Sequence, residues 1–199
     1  MLLTVLGAAA GGGVPQWNCA CRNCELARAG TLPRMTQSSV AVSLDGTDWV
    51  VLNASPDIRV QLAAGRFAPP GLRGSPVKAV VVTNADVDHI AGLLSLREGT
   101  GFDLWASAET QRVLAENPVF GVLSDVVVRR TMTLDEGFMP LPGLTVTPFA
   151  VPGKVALYLE RDMGADHRIG GQTVGLDIVG GGKRVLYIPG CAELPDWLL

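Results

Sequence analysis

The chain has 199 residues, of which 48% are hydrophobic, and a formal net charge of -3. This length and apolar content suffice for a sizeable core and favour a single domain over residues 1–199. Lysines and arginines are scattered singly, which excludes a basic stripe for nucleic acid and a polybasic patch for a membrane surface. No apolar run approaches the length of a membrane span. We therefore expect a cytoplasmic protein, with neither nucleic acid nor membrane as a partner.

The N-terminal segment predicts a strand over residues 2–6 and a flexible glycine loop over residues 7–13. It is apolar, but no Lys or Arg precedes Arg22, so we interpret it as a strand and loop rather than a signal peptide. Because Pro15 follows soon after these glycines, the third glycine of a G-x-G-x-x-G dinucleotide motif is missing. The glycines are either a tight connection or a place where the backbone approaches another group closely.

Three cysteines follow within six residues, in the spacing C-x-C-x-x-C: Cys19, Cys21 and Cys24. Thiolates at this spacing reach one tetrahedral ion, and zinc is the natural guest in a reducing compartment. The alternative is a set of buried or idle thiols. A closed structural site needs a fourth ligand, for which the candidates are Cys191, His167 and a residue beyond Leu199.

Hydrophobic periodicity and turn signals predict alternating strands and helices in the rest of the chain, which is typical of an α/β protein. The predicted strands are 38–44, 49–52, 77–83, 102–106, 125–130, 144–151, 173–179 and 183–187, with turns at 45–46 and 180–182. One predicted helix starts at an N-cap Ser55 and ends at Gly65, with Asp57 favourable to its dipole. The others are 90–98 and a helix capped by Ser107 that stops before Pro118.

The most informative stretch is a polar loop between the predicted strand 77–83 and the predicted helix 90–98. It contains Asn84, Asp86, Asp88 and His89, which are costly to bury unless they are paired or bound to a cation. We interpret the loop as a metal site. Its oxygens beside one imidazole are a harder ligand set than several histidines and suit ferrous iron, although zinc would also bind. The alternative is that Asp88 is a helix N-terminal aspartate with a satisfied neighbour.

This loop resembles the H-x-H-x-D-H signature of the metallo-β-lactamase superfamily. Asp88 and His89 keep the last two positions, whereas Asn84 and Asp86 stand where the first two histidines would be. In that superfamily those histidines hold one of two zinc ions whose bridging hydroxide performs hydrolysis. Their absence weighs against ordinary dizinc hydrolysis.

Longer motifs resemble the family of B proteins of pyrroloquinoline quinone (PQQ) biosynthesis. They are GAAAGGGVPQWNC at 7–19, TQSS at 36–39, NASPDIR at 53–59 and GLLSLREG at 92–99. The resemblance implies a metallo-β-lactamase-like αββα sandwich. It also implies an iron- and oxygen-dependent hydroxylation of the tyrosine ring in the Glu-Tyr crosslinked PQQ precursor. The alternatives are a non-catalytic carrier of PQQ or its precursor, and a metal-dependent hydrolase of phosphodiesters or lactone-like esters.

The resemblance further implies roles for individual residues. Asp88 and His89 would be the catalytic pair that binds Fe(II), with Asn84 and Asp86 as further candidate ligands, and the three cysteines would hold structural zinc. The candidates for contacts with the precursor are Gln37, Ser38, Asn53 and Arg97.

Arg97 has two interpretations. Its guanidinium would suit a precursor with several carboxylates, or it is a solvated charge at a helix end. Other PQQ-biosynthesis proteins are candidate partners. The family's chain extends beyond Leu199 with further ligands, including another histidine, so we expect a domain that is incomplete at its C-terminus and a site that cannot close without those residues.

Overall fold

The structure of the chain is a computed structural model that describes residues 1–65, 67–123, 125–164 and 166–198. Within these ranges the strands are β1 (Leu2–Gly7), β2 (Ser39–Ser43), β3 (Trp49–Leu52), β4 (Val77–Val81), β5 (Phe102–Ser107), β6 (Val127–Met132), β7 (Phe138–Leu141), β8 (Leu144–Gly153), β9 (Arg168–Gly180) and β10 (Lys183–Tyr187). The α-helices are α1 (Arg22–Arg28), α2 (Ile58–Ala64), α3 (Val87–Ile90), α4 (Ala108–Glu116) and α5 (Glu160–Met163). Short 3₁₀ helices cover Ala91–Leu96, Pro118–Val122, Leu157–Leu159 and Asp196–Leu198. In the described part of the chain, no helix combines the length and apolarity needed to cross a membrane.

Two sheets form the body of the fold. The first has six strands in the order β1-β2-β3-β4-β5-β6, antiparallel from β1 to β3 and parallel from β3 to β6. The second has four antiparallel strands in the order β10-β9-β8-β7. Parallel neighbours place their carboxyl ends at one edge of the sheet, so the loops after β3 and β4 meet there.

The six-stranded sheet is buried on both faces because successive residues of a strand point to opposite sides. On one side, Val80 of β4 packs in a cluster with residues of the helices, including Ile58, Leu93 and Leu114. On the other side, Val81 packs in a cluster with the second sheet, including Val146 and Leu176. The described residues therefore stack as helices, first sheet and second sheet, which are three layers of the predicted sandwich.

The predicted N-cap at Ser55 is wrong, because α2 begins three residues later. The Ser55 hydroxyl instead accepts from the backbone N–H of Asp57 at 3.2 Å and donates to Gln61 Oε1 at 3.1 Å. The Asp57 carboxylate accepts from the backbone N–H of Gln37 at 3.0 Å. Local side-chain bonds thus hold a turn where the first two residues of the helix were expected.

The helix predicted over residues 90–98 is a 3₁₀ helix, Ala91–Leu96, and the α-helical turn α3 precedes it inside the segment that was predicted as a loop. The cause lies at Gly92, whose backbone N–H donates to the carbonyl of Ala54 at 2.9 Å and so leaves the α-helical ladder. A Cβ at Gly92 would lie 2.0 Å from the Ser55 carbonyl oxygen. Only glycine permits this approach, which fixes the loop after β3 against the loop after β4.

The second half follows the predicted strands with shifted ends and one addition. β6 begins two residues later than expected because it is an exposed edge strand with little hydrophobic pattern. β9 begins five residues earlier, across Gly170 and Gly171. β7 was not predicted, since it is short and contains Pro140. The predicted glycine turn does close β9 onto β10, with positive φ at Gly181 and Gly182.

Candidate functional site

The three cysteines come together at the start of α1. The Sγ atoms of Cys19, Cys21 and Cys24 all lie within 4.8 Å of one another, and no other group of three or more His, Cys, Asp or Glu residues in the described ranges is as close. The backbone N–H of Cys24 and the two neighbouring thiols lower the pKa of the Cys21 thiol. Three such sulfur donors fit a tetrahedral zinc ion.

Arg28, at the last turn of α1, organises the cysteine loop. Its guanidinium donates to the carbonyl oxygens of Cys19 and Gln16, each at 2.6 Å. The backbone N–H of Gln16 in turn donates to Cys24 Sγ at 3.4 Å. The sequence predicted neither α1 nor this role of Arg28, because an exposed arginine seven residues after Cys21 carries no pattern of its own.

The two fourth-ligand candidates within the chain do not join the cysteine group. The Cys191 thiol donates to the backbone carbonyl of Glu193 at 2.6 Å. His167 Nδ1 lies 3.8 Å from Glu193 Oε1. Both candidates are therefore engaged near the end of the described chain, in a different part of the fold from Cys19, Cys21 and Cys24.

The polar loop stands on a buried connection between β3 and β4. Asn53, directly after β3, is completely buried and has a left-handed backbone with φ 61°. Its side-chain Oδ1 accepts from the backbone N–H of Thr83 at 2.9 Å, and its Nδ2 donates to the Thr83 hydroxyl at 2.9 Å. Asn53 thus ties two strand ends together, and its amide is used inside the protein rather than presented to a ligand.

Asn84, Asp86 and His89 form a hydrogen-bonded network. Asn84 Nδ2 donates to Asp86 Oδ2 at 2.8 Å, which turns Asn84 Oδ1 towards His89 Nδ1, 2.5 Å away. A carbonyl oxygen only accepts, so His89 Nδ1 carries the proton and Nε2 keeps its lone pair. This is the arrangement in which a second residue orients a metal-binding histidine. Both polar groups of Asn84 are engaged, which argues against its predicted use as a direct ligand.

The electrostatics of the network favour a neutral imidazole. Burial lowers the pKa of His89, opposed by the nearby charges of Asp88 and Asp86. Burial raises the pKa of Asp86; Asp88 adds to that rise, while His89 and Lys154 oppose it. A neutral histidine beside carboxylates is a suitable donor set for a divalent transition metal.

The glycine loop lies directly against Asp88. A Cβ at Gly11 would be 3.4 Å from Asp88 Oδ2. Gln37 Nε2 donates to the carbonyl of Gly11, whereas Gln37 Oε1 is buried and has no hydrogen-bond partner among the described residues. The Ser38 hydroxyl lies 3.4 Å from the Tyr187 hydroxyl. Gln37 is therefore placed beside the loop that approaches Asp88, with one acceptor unpaired.

Arg97 is engaged at its own helix end. Its Nη1 donates to the carbonyl of Leu94 at 2.7 Å, and its Nη2 lies 3.7 Å from the Glu98 carboxylate. The side chain is half exposed. This geometry matches a solvated helix-end charge better than the predicted contact with a precursor.

Both tyrosines of the chain reach this region, which the sequence did not indicate. The Tyr158 hydroxyl donates to the carbonyl of Ala85 at 2.8 Å. The Tyr187 hydroxyl lies 3.4 Å from Asn53 Nδ2 and from the Ser38 hydroxyl. Burial raises the pKa of both phenols. Tyr158 lies in the 3₁₀ helix Leu157–Leu159 and Tyr187 in β10, both far from the loop in sequence, so only the tertiary fold brings them to it.

Comparisons with known proteins show the family and the fold of the chain. A family model for the β-lactamase superfamily domain matches residues 48–199. Coenzyme PQQ synthesis protein B of Rhizobium meliloti is 53% identical over 203 residues, which cover 98% of this chain and 66% of that protein. The protein of the same name from Ruegeria pomeroyi is 55% identical over 201 residues, which cover 100% of this chain and 68% of that one.

A solved structure shows the same fold. The crystal structure of Zn(2+)-bound PqqB from Methylobacterium extorquens has a TM-score of 0.95 and 53% identity, and the match covers 98% of this chain and 67% of that chain. The chain thus spans about two thirds of the length of the relatives that it matches. The predicted metallo-β-lactamase-like α/β fold is confirmed. The chain belongs to the coenzyme PQQ synthesis protein B family within the β-lactamase superfamily.

Proposed function

We propose that the chain acts in PQQ biosynthesis as an iron- and oxygen-dependent hydroxylase of the tyrosine ring in the Glu-Tyr crosslinked precursor. The observation that carries this proposal is the hydrogen bond from His89 Nδ1 to Asn84, which leaves Nε2 available as a ligand. Family membership supports a role in the pathway. A donor set of one carboxylate and one imidazole with open positions is compatible with ferrous iron and oxygen.

In this proposal Asp88 and His89 Nε2 would bind Fe(II), and the metal would supply the redox chemistry with oxygen. Asn84 and Asp86 act through His89 by fixing its ring and its protonated nitrogen. Gln37, whose Oε1 is unpaired in the described structure, would accept a hydrogen bond from the precursor, and Ser38 would lie beside it. Asn53 would position the start of the loop through its hydrogen bond with the backbone N–H of Thr83.

The experiment is anaerobic reconstitution with ferrous iron and precursor, followed by oxygen. Hydroxylation places one oxygen atom of O₂ on the ring and the other in water, so the assay also needs ascorbate as a two-electron reductant. With ¹⁸O₂ we expect a labelled ring by mass spectrometry. His89→Ala should abolish this product, whereas His167→Ala, at an exposed loop histidine, should retain it. A His89→Ala protein that hydroxylates as well as the parent would refute the proposal.

A measurement without turnover tests the role of Asn84. Asn84→Ala should weaken Fe(II) or Zn(II) binding by about 10–100-fold in calorimetric titrations, because the histidine loses its orienting acceptor. Asn117→Ala is the matched control, since the one hydrogen bond of that side chain to a described residue goes to the carbonyl of Val113 in α4. Equal metal affinities for both variants would show that Asn84 does not act through His89.

We also propose that Cys19, Cys21 and Cys24 hold a structural zinc ion. Metal analysis of anaerobically purified protein, with anomalous scattering to assign each ion, tests this. Cys21→Ser should lose one zinc per chain, and Cys191→Ser should keep it. Retention of zinc by Cys21→Ser would contradict the assignment.

Two alternatives stay predictions. A non-catalytic carrier of PQQ or its precursor would bind it equally well after the active-site metal is removed. A hydrolase of phosphodiesters or lactone-like esters would turn over a chromogenic diester in its zinc-loaded form. A diphosphatase of the PhnP family shares the fold, with a TM-score of 0.64 and 27% identity. Asn84 and Asp86 nevertheless stand where the superfamily signature has its first two histidines.

A further inference from the structure

We propose a second small-molecule site, in a cavity between α4 and the segment that joins β8 to β9. The cavity is half open to solvent and has a volume of about 180 Å³, and its lining includes Ala85, Val113, Ala156, Arg112, Arg168 and Glu109. Asp88, His89 and the cysteines do not line it. The ligand that fits is a short amphipathic carboxylate, and this proposal is independent of the metal chemistry above.

The floor of the cavity is apolar. Ala85, Val113 and Ala156 form one buried hydrophobic cluster, none more than 8% exposed, with Leu159 packed against it. A cavity of about 180 Å³ has room for several water molecules or for a short alkyl chain. Water in such an apolar space makes few hydrogen bonds, and an alkyl group would displace it favourably.

The rim of the cavity is positively charged on balance, with two guanidinium groups against the one carboxylate of Glu109. Arg112 makes no hydrogen bond or ion pair with any residue that the structure describes. Arg168 donates from Nη2 to the carbonyl of Met163 at 2.7 Å, which holds its guanidinium at the rim. A carboxylate matches the planar donors of arginine, so the ligand should carry its charge at one end.

The cavity borders the polar loop at Ala85, which is one of its lining residues. The carbonyl of Ala85 accepts from the Tyr158 hydroxyl at 2.8 Å, and its two neighbours, Asn84 and Asp86, belong to the hydrogen-bonded network around His89. A ligand in the cavity would therefore lie against Ala85 of that loop, whereas Asp86 and Asp88 do not line the cavity.

Hexanoate is the probe that tests the site, with 1-hexanol as the uncharged comparison. In ¹³C-methyl NMR of the 199-residue chain, hexanoate should shift Ala85, Val113, Ala156 and Leu159 saturably. Hexanol should bind about tenfold more weakly, since it lacks the charge-assisted bonds to arginine. Arg112→Gln should weaken hexanoate binding by a similar factor, whereas Arg59→Gln, an exposed arginine on α2, should not.

Ala156→Leu adds a filling test, because the larger side chain should occupy the cavity and abolish the shifts. If that variant does not fold, the comparison of Arg112→Gln with Arg59→Gln still decides. Shifts that do not saturate or that spread over the surface would overturn the proposal. Equal affinity for hexanoate and hexanol, or hexanoate binding unchanged by Arg112→Gln, would overturn it as well.

Discussion

Asn53 holds a left-handed backbone conformation at a completely buried position. Asparagine tolerates this conformation better than other residues with a Cβ, because its short polar side chain bonds locally. Here it bonds across to Thr83, two residues beyond the end of β4. The strain and the hydrogen bonds therefore belong to the same residue, and substitutions can separate them.

We expect Asn53→Ala to lower the free energy of unfolding by about 2–4 kcal/mol, through the lost bonds to Thr83 and the strain of alanine at positive φ. Asn53→Gly loses the same bonds without the strain, so it should be about 1 kcal/mol more stable than Asn53→Ala. Urea denaturation of both variants measures the difference. Equal stabilities would show that the backbone conformation costs nothing.

The sequence predicted which residues lie together in the polar loop, but not which of them would bind a metal and which would orient another side chain. Carboxylates, an amide and an imidazole after a buried strand indicate a site, and the structure does link Asn84, Asp86 and His89. Which one orients and which one binds depends on side-chain rotamers and tertiary neighbours, and composition does not encode these. Asn53 shows the same limit, because a polar residue at a strand end is equally consistent with a pocket wall and a buried tie.

At the scale of elements, α3 is held in place by a glycine contact. The absent side chain of Gly92 lets the start of the 3₁₀ helix pass against the backbone of Ala54 and Ser55. His89 lies in α3, and its backbone carbonyl accepts from the N–H of Ala54 at 2.8 Å. Displacement of this helix would therefore move the imidazole.

Gly92→Ala should lower the free energy of unfolding by at least about 2 kcal/mol, since the new methyl group would overlap backbone atoms that cannot withdraw. Gly121→Ala is the matched control within another 3₁₀ helix, where no described atom beyond its chain neighbours and its own helix backbone lies within 4 Å of the new Cβ. It should change stability by less than about 0.5 kcal/mol. Thermal denaturation compares the two. A Gly92→Ala protein as stable as Gly121→Ala would contradict the close approach.

The cysteine segment depends on α1, whose last turn carries Arg28. Arg28→Ala should weaken zinc retention by about tenfold in competition with a chromogenic chelator, because the carbonyls of Gln16 and Cys19 lose their donor and the loop loses its shape. Arg22→Ala, on the first turn of the same helix, should leave retention unchanged. If Arg22→Ala lost zinc and Arg28→Ala retained it, the first turn of α1 rather than Arg28 would hold the geometry of the cysteine loop.

Elements with strong periodicity or caps were predictable, and those shaped by tertiary contacts were not. The Ser107 hydroxyl accepts from the backbone N–H of Thr110 at 3.2 Å, as its position before α4 predicted. β3, β4 and β5 are short apolar runs that the pattern locates well. By contrast, α1 has few apolar residues, and its loop geometry relies on Arg28 and the thiols.

At the scale of the molecule, the six-stranded sheet contributes residues to the two hydrophobic clusters on its opposite faces. Val80 belongs to one cluster and Val81 to the other, so loss of β4 would remove support from both. We propose that residues 1–199 form one domain that unfolds in a single urea transition, with tryptophan fluorescence and far-ultraviolet circular dichroism coincident. Two separate transitions would contradict the single domain.

Neither of these two clusters contains a residue from 7–39. Removal of zinc with a chelator should therefore raise hydrogen exchange over residues 10–28 while β3, β4 and β5 keep their protection. Hydrogen-exchange mass spectrometry of the zinc-loaded and chelated chain measures this. A loss of protection throughout the sheet would mean that the ion stabilises the whole fold.

The two tyrosines are positions at which a spectroscopic label would report on the candidate site. The chain contains two tyrosines, and each hydroxyl contacts the polar loop or the Asn53 tie beneath it. Biosynthetic incorporation of 3-fluorotyrosine would thus give two ¹⁹F signals, both reporting on the surroundings of His89. The Tyr158 hydroxyl bonds to Ala85, which lines the cavity, and the Tyr187 hydroxyl lies beside Ser38. One spectrum would therefore distinguish a ligand in the cavity from a precursor bound near Ser38.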